Sequence, residues 1–294
     1  MSGCLHRPTI QSSLRDGARP TCLVLSVGGV HGLAHLGALR AFREAGIGFD
    51  CVSGASMGSL VGALYAVNPR SDTTESTRGL LRQYRSQSEA DAQDSGFGMG
   101  LLSMLLVAVS GGTALPVLLG GAAGAVYGAS TTRPLDHQRL TRVLRRHLSS
   151  ARFETLPMRF ATFHWTLNQT NMDTVVVRSG DVAEAVGDSI ANPLIFRELD
   201  PIHRPRLDPG GDRVAAVPIE DTCTAFPGHR IVAINTTGRP AMRSAGLQCQ
   251  VIEIDIPPID VSNEEVLLLG PAFDRLVEHG YTETTRALRS TVAH

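Results

Sequence analysis

The sequence contains no lysine, so all 27 residues counted as Lys or Arg are arginine. Without a lysine amine the chain cannot form a Schiff base, a Ser–Lys dyad or the lysine contact of a P-loop with nucleotide phosphates. Aromatic residues are also few, at 5%, and the formal net charge is only −1. Nucleic-acid binding needs an excess of basic residues to neutralise phosphates, so this charge balance argues against a nucleic-acid partner.

Cysteines are few and scattered along the chain, and no two of them form a C-x-x-C pair. They are Cys4, Cys22, Cys51, Cys223 and Cys249. This spacing predicts neither a disulfide framework nor a zinc site, and it is typical of a reducing compartment. No group of His, Cys, Asp or Glu residues has the spacing of metal ligands, so we expect neither a metal nor another cofactor.

The chain alternates between predicted strands and helices after a polar start. Residues 1–20 contain no hydrophobic run, and we interpret them as a disordered leader rather than a signal peptide. Apolar runs at 21–27 and 49–53 predict buried strands, and the periodicity of 33–45 and 57–67 predicts helices. This order predicts a parallel, doubly wound α/β sheet in a single domain. That domain spans 21–290, with later strands at 158–167, 174–177, 231–234 and 251–256 and a last helix from about 264 to 289.

Residues 95–132 form a long stretch without a single charged side chain. The stretch is long enough to cross a bilayer. However, several glycines and Pro116 divide it into pieces that are each shorter than a comfortable span. Two interpretations stay open: a pair of buried core helices, or a lid or interfacial hairpin that contacts lipid.

Ser56 lies in the sequence Gly-Ala-Ser-Met-Gly, which begins at Gly54 and ends at Gly58 between a predicted strand and a predicted helix. Small residues on both sides of a serine allow a tight turn that exposes the hydroxyl above the sheet, as in a nucleophile elbow. The start of the next helix also favours developing negative charge. Ser56 is therefore the candidate nucleophile; the alternative is a glycine-rich helix start that serves only close packing.

A glycine loop joins the first predicted strand to the first predicted helix. It is not a dinucleotide-binding fingerprint, because Val27 occupies the position of the first glycine. The backbone N–H groups of Gly28, Gly29 and Val30 suit an oxyanion hole instead. Neighbouring parallel strands end at the same edge of a sheet, so we expect this loop beside Ser56. The alternative is an ordinary tight turn.

The two motifs, in this order and separated by one helix, resemble those of the patatin-like phospholipase family. The similarity extends over residues 21–290 and includes the segments 178–186, 189–196 and 278–281. It implies a three-layer α/β/α fold with a mostly parallel sheet, and a Ser–Asp dyad that hydrolyses lipid acyl esters as a phospholipase A or lysophospholipase does. It also implies a lipid or acyl-ester substrate. The stretch 95–132 is the part least similar to the family, and because it carries no charge we expect it to meet a membrane surface. We accordingly expect a cytoplasmic protein with peripheral membrane contact.

The resemblance implies Asp208 as the catalytic base, with Asp212 as the second choice. The segment that contains them, Asp-Pro-Gly-Gly-Asp, departs from the family's D-G-G motif at Pro209. In the glycine loop, Val27 replaces the first glycine of the family's motif and His31 replaces its usual arginine. An aspartate beside Pro and Gly is also common in a solvated turn.

Two other functions remain open from the sequence. Histidines at 203, 229 and 279 allow an α/β-hydrolase-type esterase with a Ser–Asp–His triad, in the chain order that fold uses. The three motif departures allow a catalytically degenerate scaffold that binds lipid or a protein partner.

Overall fold

The computed structural model describes residues 8–17, 19–94, 137–168, 171–192, 206–211, 214, 216–261, 265–266 and 269–291. Its strands are β1 Thr21–Leu25, β2 Cys51–Ala55, β3 Arg159–Asn168, β4 Asn171–Val177, β5 Arg206–Leu207, β6 Arg230–Asn235 and β7 Val251–Asp255. Its α-helices are α1 Ile10–Arg15, α2 Ala34–Glu44, α3 Met57–Val67, α4 Thr73–Asp94, α5 His137–His147, α6 Val182–Ser189, α7 Ile219–Ala225 and α8 Pro271–Arg289. Short 3-10 segments lie at Gly29–Leu33, Phe153–Thr155 and Pro209–Gly211.

One twisted sheet organises the domain, with the strand order β4-β3-β2-β1-β6-β7. Neighbouring strands are parallel along β3-β2-β1-β6-β7. β4 and the short β5 each pair with β3 in the antiparallel direction. Every residue of β1, β2 and β6 is buried, as expected for central parallel strands that are covered on both faces. The predicted α/β fold with a mostly parallel sheet is confirmed. The strands predicted at 158–167 and 174–177 correspond to β3 and β4, which pair with each other.

Alternate residues of each central strand point into different hydrophobic cores. Leu23 and Leu25 belong to the larger core, to which α1–α6 and α8 contribute. Cys22 and Val24 belong to the smaller core on the other face, which includes residues of α7. The sheet therefore forms the middle of three layers.

Helices α2 and α8 pack with their backbones in direct contact. A Cβ atom on Gly37 would overlap the carbonyl oxygen of Val277, and one on Gly280 would overlap the carbonyl oxygen of Ala34. Two glycines facing each other in this way permit an approach that no larger residue allows. This contact fixes the start of α2, immediately after the glycine loop.

The expected disordered leader was wrong for residues 10–15, which form α1. Thr9 caps this helix by accepting a hydrogen bond from the N–H of Ser12, as N-cap threonines do. Ile10 and Leu14, four residues apart, are both buried in the larger core. The N–H of Ile10 also donates to the carbonyl of Ser290, so the segment is ordered by contacts with the far end of the chain. Residues 1–7 lie outside the described part.

The expectation of no disulfides was also wrong. Cys22 is bonded to Cys51, and Cys223 is bonded to Cys249. Cys22 and Cys51 are direct register partners on β1 and β2, a proximity that comes from strand pairing and leaves no trace in sequence spacing. The cysteine argument for a reducing compartment therefore does not stand.

Two further expectations concern the helices. The last helix begins at Pro271 rather than near residue 264, because Gly270 is extended and a proline suits the first helical turn. The charge-free stretch 95–132 lies outside the described residues. Among the residues that are described, no helix combines the length and apolar character needed to cross a membrane.

Candidate active site

Ser56 sits at the tight turn between β2 and α3 in a conformation that non-glycine residues rarely adopt, with φ 52° and ψ −123°. A Cβ on Gly54 would overlap the carbonyl oxygen of Gly58, and one on Gly58 would overlap the carbonyls of Leu25 and Ser26. The turn can therefore close only with glycine at both positions, and it stores backbone strain at Ser56. This is the conformation that the nucleophile-elbow pattern predicted.

The backbone of Ser56 is also held from α6. Its N–H donates a hydrogen bond of 3.0 Å to the hydroxyl of Ser189, the last residue of that helix. Sequence reasoning had not assigned a role to Ser189. The one available signal was that it opens the segment 189–196, on which the family resemblance partly depends.

Asp208 faces Ser56 across the carboxyl edge of the sheet, and the Ser56 hydroxyl donates a 2.7 Å hydrogen bond to its Oδ2. The other carboxylate oxygen accepts from the N–H of Gly210 at 2.8 Å, and the N–H of Asp208 donates to the carbonyl of Ala191. Pro209 opens the short 3-10 turn Pro209–Gly211 through a trans peptide bond. The proline thus leaves the aspartate in reach of the serine. Asp212 lies outside the described residues.

Burial of the Asp208 carboxyl raises its pKa from 3.8 to about 6, and the hydrogen bonds from Ser56 and Gly210 oppose this rise. Burial acts in this direction because a low-dielectric site disfavours the charged form. A carboxylate with this pKa is a stronger base than an ordinary aspartate. It still ionises below neutral pH, as a general base must.

The raised pKa predicts a pH-dependent stability that does not depend on any assumed activity. Above pH 6 the folded protein holds a carboxylate that burial disfavours. In the unfolded chain the same carboxyl ionises at its ordinary, lower pKa. The free energy of unfolding therefore falls as pH rises from the unfolded-state pKa to the folded-state pKa. Asp208→Asn removes that effect. Its advantage over wild type in free energy of unfolding should grow by about 1 kcal/mol from pH 5 to pH 8 in denaturant titrations. A difference that stays constant with pH would contradict the raised pKa.

The glycine loop lies against the elbow, as expected from the strand order. A Cβ on Gly32 would come within 2.7 Å of the Cβ of Met57, the residue after Ser56. Gly29 has a φ of 52°, a conformation that suits glycine. Within the described residues, and apart from bonds inside helices and strands, no hydrogen bond uses the N–H of Gly28 or Gly29 as donor. Val30 follows in the 3-10 turn, with its side chain buried.

The two departures within the loop have structural explanations. Val27 does not adopt a positive φ, and its side chain lies near Gly210, in the turn that follows Asp208. Its β-branched side chain is therefore compatible with the loop. His31 is hydrogen-bonded through Nε2 to the carbonyl of Ile259, which ties the loop to the segment after β7.

His35, in the first turn of α2, supports the loop from below. It is fully buried, and its Nε2–H donates a 2.9 Å hydrogen bond to the carbonyl of Ser26. Burial lowers its pKa from 6.5 to about 4, so the ring is neutral at physiological pH. His35 therefore fixes the backbone beneath the loop without adding charge to the site.

The histidines proposed for a triad lie away from Ser56. His229 precedes β6, at the opposite edge of the sheet, where its Nε2 meets the guanidinium of Arg159. His279 is bonded through Nε2 to the carbonyl of Pro257. His203 is outside the described residues. Neither His229 nor His279 is hydrogen-bonded to Ser56 or Asp208.

One group in the described part of the chain brings possible metal ligands together. The sulfur atoms of Cys22 and Cys51 and a ring nitrogen of His229 lie within 4.8 Å of one another. The two sulfurs are bonded to each other, whereas a metal would require them as thiolates. The group is therefore not a metal site in this form of the protein.

Comparison with known proteins places these motifs in a family. The family model described as patatin-like phospholipase matches residues 23–209, well over half of the chain, including the glycine loop, the elbow and Asp208. The chain belongs to this family. Similarity to individual patatin-like proteins is concentrated in short segments. A patatin-like phospholipase domain-containing protein of Caenorhabditis elegans, ZK370.4, is 60% identical over 47 residues, which are 16% of this chain and 4% of that protein.

Other relatives show the same partial pattern. Lysophospholipase NTE1 of Mycosarcoma maydis is 51% identical over 65 residues, which are 20% of this chain and 4% of that protein. Among solved structures, the chain is similar to ExoU of Pseudomonas aeruginosa in complex with SpcU, with 20% identity and a TM-score of 0.43 over 92% of this chain and 52% of that one. VipD from Legionella pneumophila aligns with 13% identity and a TM-score of 0.38 over 92% of this chain and 66% of that one.

Proposed function

We propose that this protein is a lipid acyl hydrolase that cleaves carboxylic esters with Ser56 as nucleophile and Asp208 as base. The observation that carries the proposal is the 2.7 Å hydrogen bond from the Ser56 hydroxyl to Asp208, made by a serine in the strained elbow conformation. Membership of the patatin-like phospholipase family supports a lipid ester as the substrate class. The chain spans only a small part of the relatives' length, so their full activities are not transferred to it.

The geometry suggests a two-step mechanism. Ser56 Oγ attacks the ester carbonyl carbon while its proton passes to Asp208, and that proton then leaves with the departing alcohol. Water then attacks the acyl carbon while its proton passes to Asp208, and Ser56 Oγ takes that proton back as the carboxylic acid is released. In both steps the N–H groups of Gly28 and Gly29, with Val30, are the proposed oxyanion donors, each contributing roughly 3–4 kcal/mol in comparable sites.

A fluorophosphonate probe tests the proposal directly, because it labels only an activated serine. We expect labelling of wild-type protein, with the adduct mapped to Ser56 by mass spectrometry, and hydrolysis of a short-chain p-nitrophenyl ester. His229→Ala and His279→Ala should keep both properties, since neither ring contacts the dyad. A folded wild-type protein that resists the probe would favour the non-catalytic scaffold, and a large loss in either histidine variant would favour the triad.

Lipid contact through 95–132 remains a prediction, because those residues lie outside the described part of the chain. The same holds for a cytoplasmic location with peripheral membrane contact. Within the proposed function, the absence of charge across 95–132 is the feature that supports contact with a lipid surface.

A further inference from the structure

A second polar group lies next to the dyad on the same side of the sheet. Arg206, in β5, is two residues before Asp208 and pairs in register with Thr166 of β3. Its guanidinium makes a 2.8 Å ion pair with Asp188 of α6. Asp188 immediately precedes Ser189, the residue that binds the backbone of Ser56. The Arg206–Asp188 pair is therefore joined through short backbone segments to both members of the dyad.

Arg206, Glu184 and Asp188 form a charged group whose more exposed members, Arg206 and Glu184, have opposite charges. The Arg206 and Glu184 side chains are 50% and 49% exposed and lie 3.8 Å apart, from Nη1 to Oε1. Asp188, at 12% exposure, lies deeper. Among the described residues, Arg206 makes its hydrogen bond through Nη1, and its Nε and Nη2 have no partner there. Among these residues, the Nε and Nη2 donors of the guanidinium fork thus have no competing acceptor beside the exposed carboxylate of Glu184.

His164 forms the base of this group. Residues 164 and 166 of β3 face the same side of the sheet, and the charges of both Asp188 and Arg206 influence the ring. His164 is only 5% exposed, and within the described residues its Nδ1 is buried without a hydrogen-bond partner. Burial is the main cause that lowers its pKa, so the ring is neutral near pH 7.

We infer that Arg206 and Glu184 form a headgroup subsite for a zwitterionic phospholipid or lysophospholipid. The Nε and Nη2 of Arg206 bind the phosphate as a planar fork, and the Glu184 carboxylate binds the ammonium group. The inference rests on the proposed function, because the same lipid must place its ester at Ser56.

Distance and charge both favour this class of lipid. Asp208 directly follows β5, two residues after Arg206, which is at most about 7 Å along an extended backbone, so one lipid molecule can span both residues. An anionic headgroup would place its second negative group near Glu184 and Asp188. A neutral glyceride would leave Arg206 without a counterpart.

The test compares full-length variants on three substrates in the same detergent: phosphatidylcholine, phosphatidylglycerol with the same acyl chains, and a neutral p-nitrophenyl ester. In Arg206→Gln, the ratio of kcat/KM for phosphatidylcholine to that for the neutral ester should fall roughly 10- to 100-fold, the value of a lost hydrogen-bonded charge. Glu184→Gln should reduce the preference for phosphatidylcholine over phosphatidylglycerol. Arg206→Lys should restore only part of the ratio, because an ammonium lacks the planar fork.

Arg145→Gln is the matched control, because it removes an ion pair of the same length, 2.8 Å to Asp181, at the opposite end of α6. It should leave the substrate ratio at the wild-type value. An equal loss on all substrates in Arg206→Gln would mean that Arg206 only positions α6, and would overturn the subsite. So would a wild-type enzyme that hydrolyses the neutral ester but neither phosphatidylcholine nor lysophosphatidylcholine. A wild type that cleaves no ester contradicts the proposed function itself, and the subsite falls with it.

Discussion

Ser56→Ala is expected to lower kcat on a short-chain ester by at least about 10⁴-fold, because the variant has no nucleophile and the acyl-serine cannot form. Folding should be preserved, since the side chain is small and the hydrogen bond to Ser189 uses the backbone of residue 56. The measurement is steady-state hydrolysis with purified protein, combined with fluorophosphonate labelling. Labelling that persists at another serine of Ser56→Ala would place the nucleophile elsewhere.

Asp208→Asn should reduce kcat by a comparable factor of about 10³ or more. Asparagine can still bond to the Ser56 hydroxyl and the Gly210 N–H, so geometry is kept while the base is lost. Because both residues act in one proton transfer, the double variant should be no slower than Ser56→Ala alone. Additive losses in the double variant would indicate that the two residues act independently.

Gly58→Ala should reduce kcat by about 10²-fold although every proposed catalytic group is retained. The new Cβ would overlap the carbonyl oxygens of Leu25 and Ser26. These are backbone atoms at the end of β1 and cannot move without displacing the glycine loop. The elbow must therefore shift away from that loop, which separates Ser56 from the oxyanion donors. Ester hydrolysis and slowed fluorophosphonate labelling both report this displacement.

Gly62→Ala, one turn further along α3, is the matched control. Its Cβ would meet the ring of Phe160 at 3.2 Å, a side chain that can adjust, and alanine favours the helix over glycine by about 1 kcal/mol. We expect wild-type activity and an unchanged or slightly higher melting temperature. If Gly62→Ala loses as much activity as Gly58→Ala, an added methyl group anywhere on α3 is harmful, and the loss in Gly58→Ala does not report displacement of the elbow.

The elbow and the glycine loop were predictable because their chemistry is local. Gly54 is crowded by the carbonyl of Gly58 within the turn itself, and the spacing of glycine, serine and glycine is visible as a short sequence pattern. Gly58 is crowded by the carbonyls of Leu25 and Ser26, which only the packing of β1 beside the turn brings there. The strand–helix–strand order was likewise visible, since buried parallel strands appear as continuous apolar runs.

The partner of Ser56 could not be derived from spacing alone. Asp208 is 152 residues away along the chain, and its segment lacks the family's uninterrupted motif. The resemblance pointed to this position, while Pro209 left the geometry uncertain. The trans peptide and the 3-10 turn after Asp208 show how a proline fits there. Its catalytic role remains a prediction for the variants above.

The sequence by itself determined the absence of lysine chemistry, the α/β order and the position of the turn at Ser56, because each depends on composition or on a short pattern in the chain. Only the tertiary structure decided which residues far apart in sequence meet. Strand pairing brought Cys22 to Cys51, and the end of α6 brought Asp188 to Arg206. In a chain without lysine, an anionic group of the substrate is met by arginine or backbone N–H, and the fold holds the Arg206 guanidinium beside Asp188 and Glu184 of α6. Such contacts depend on how the sheet and helices pack, which the order of residues does not display.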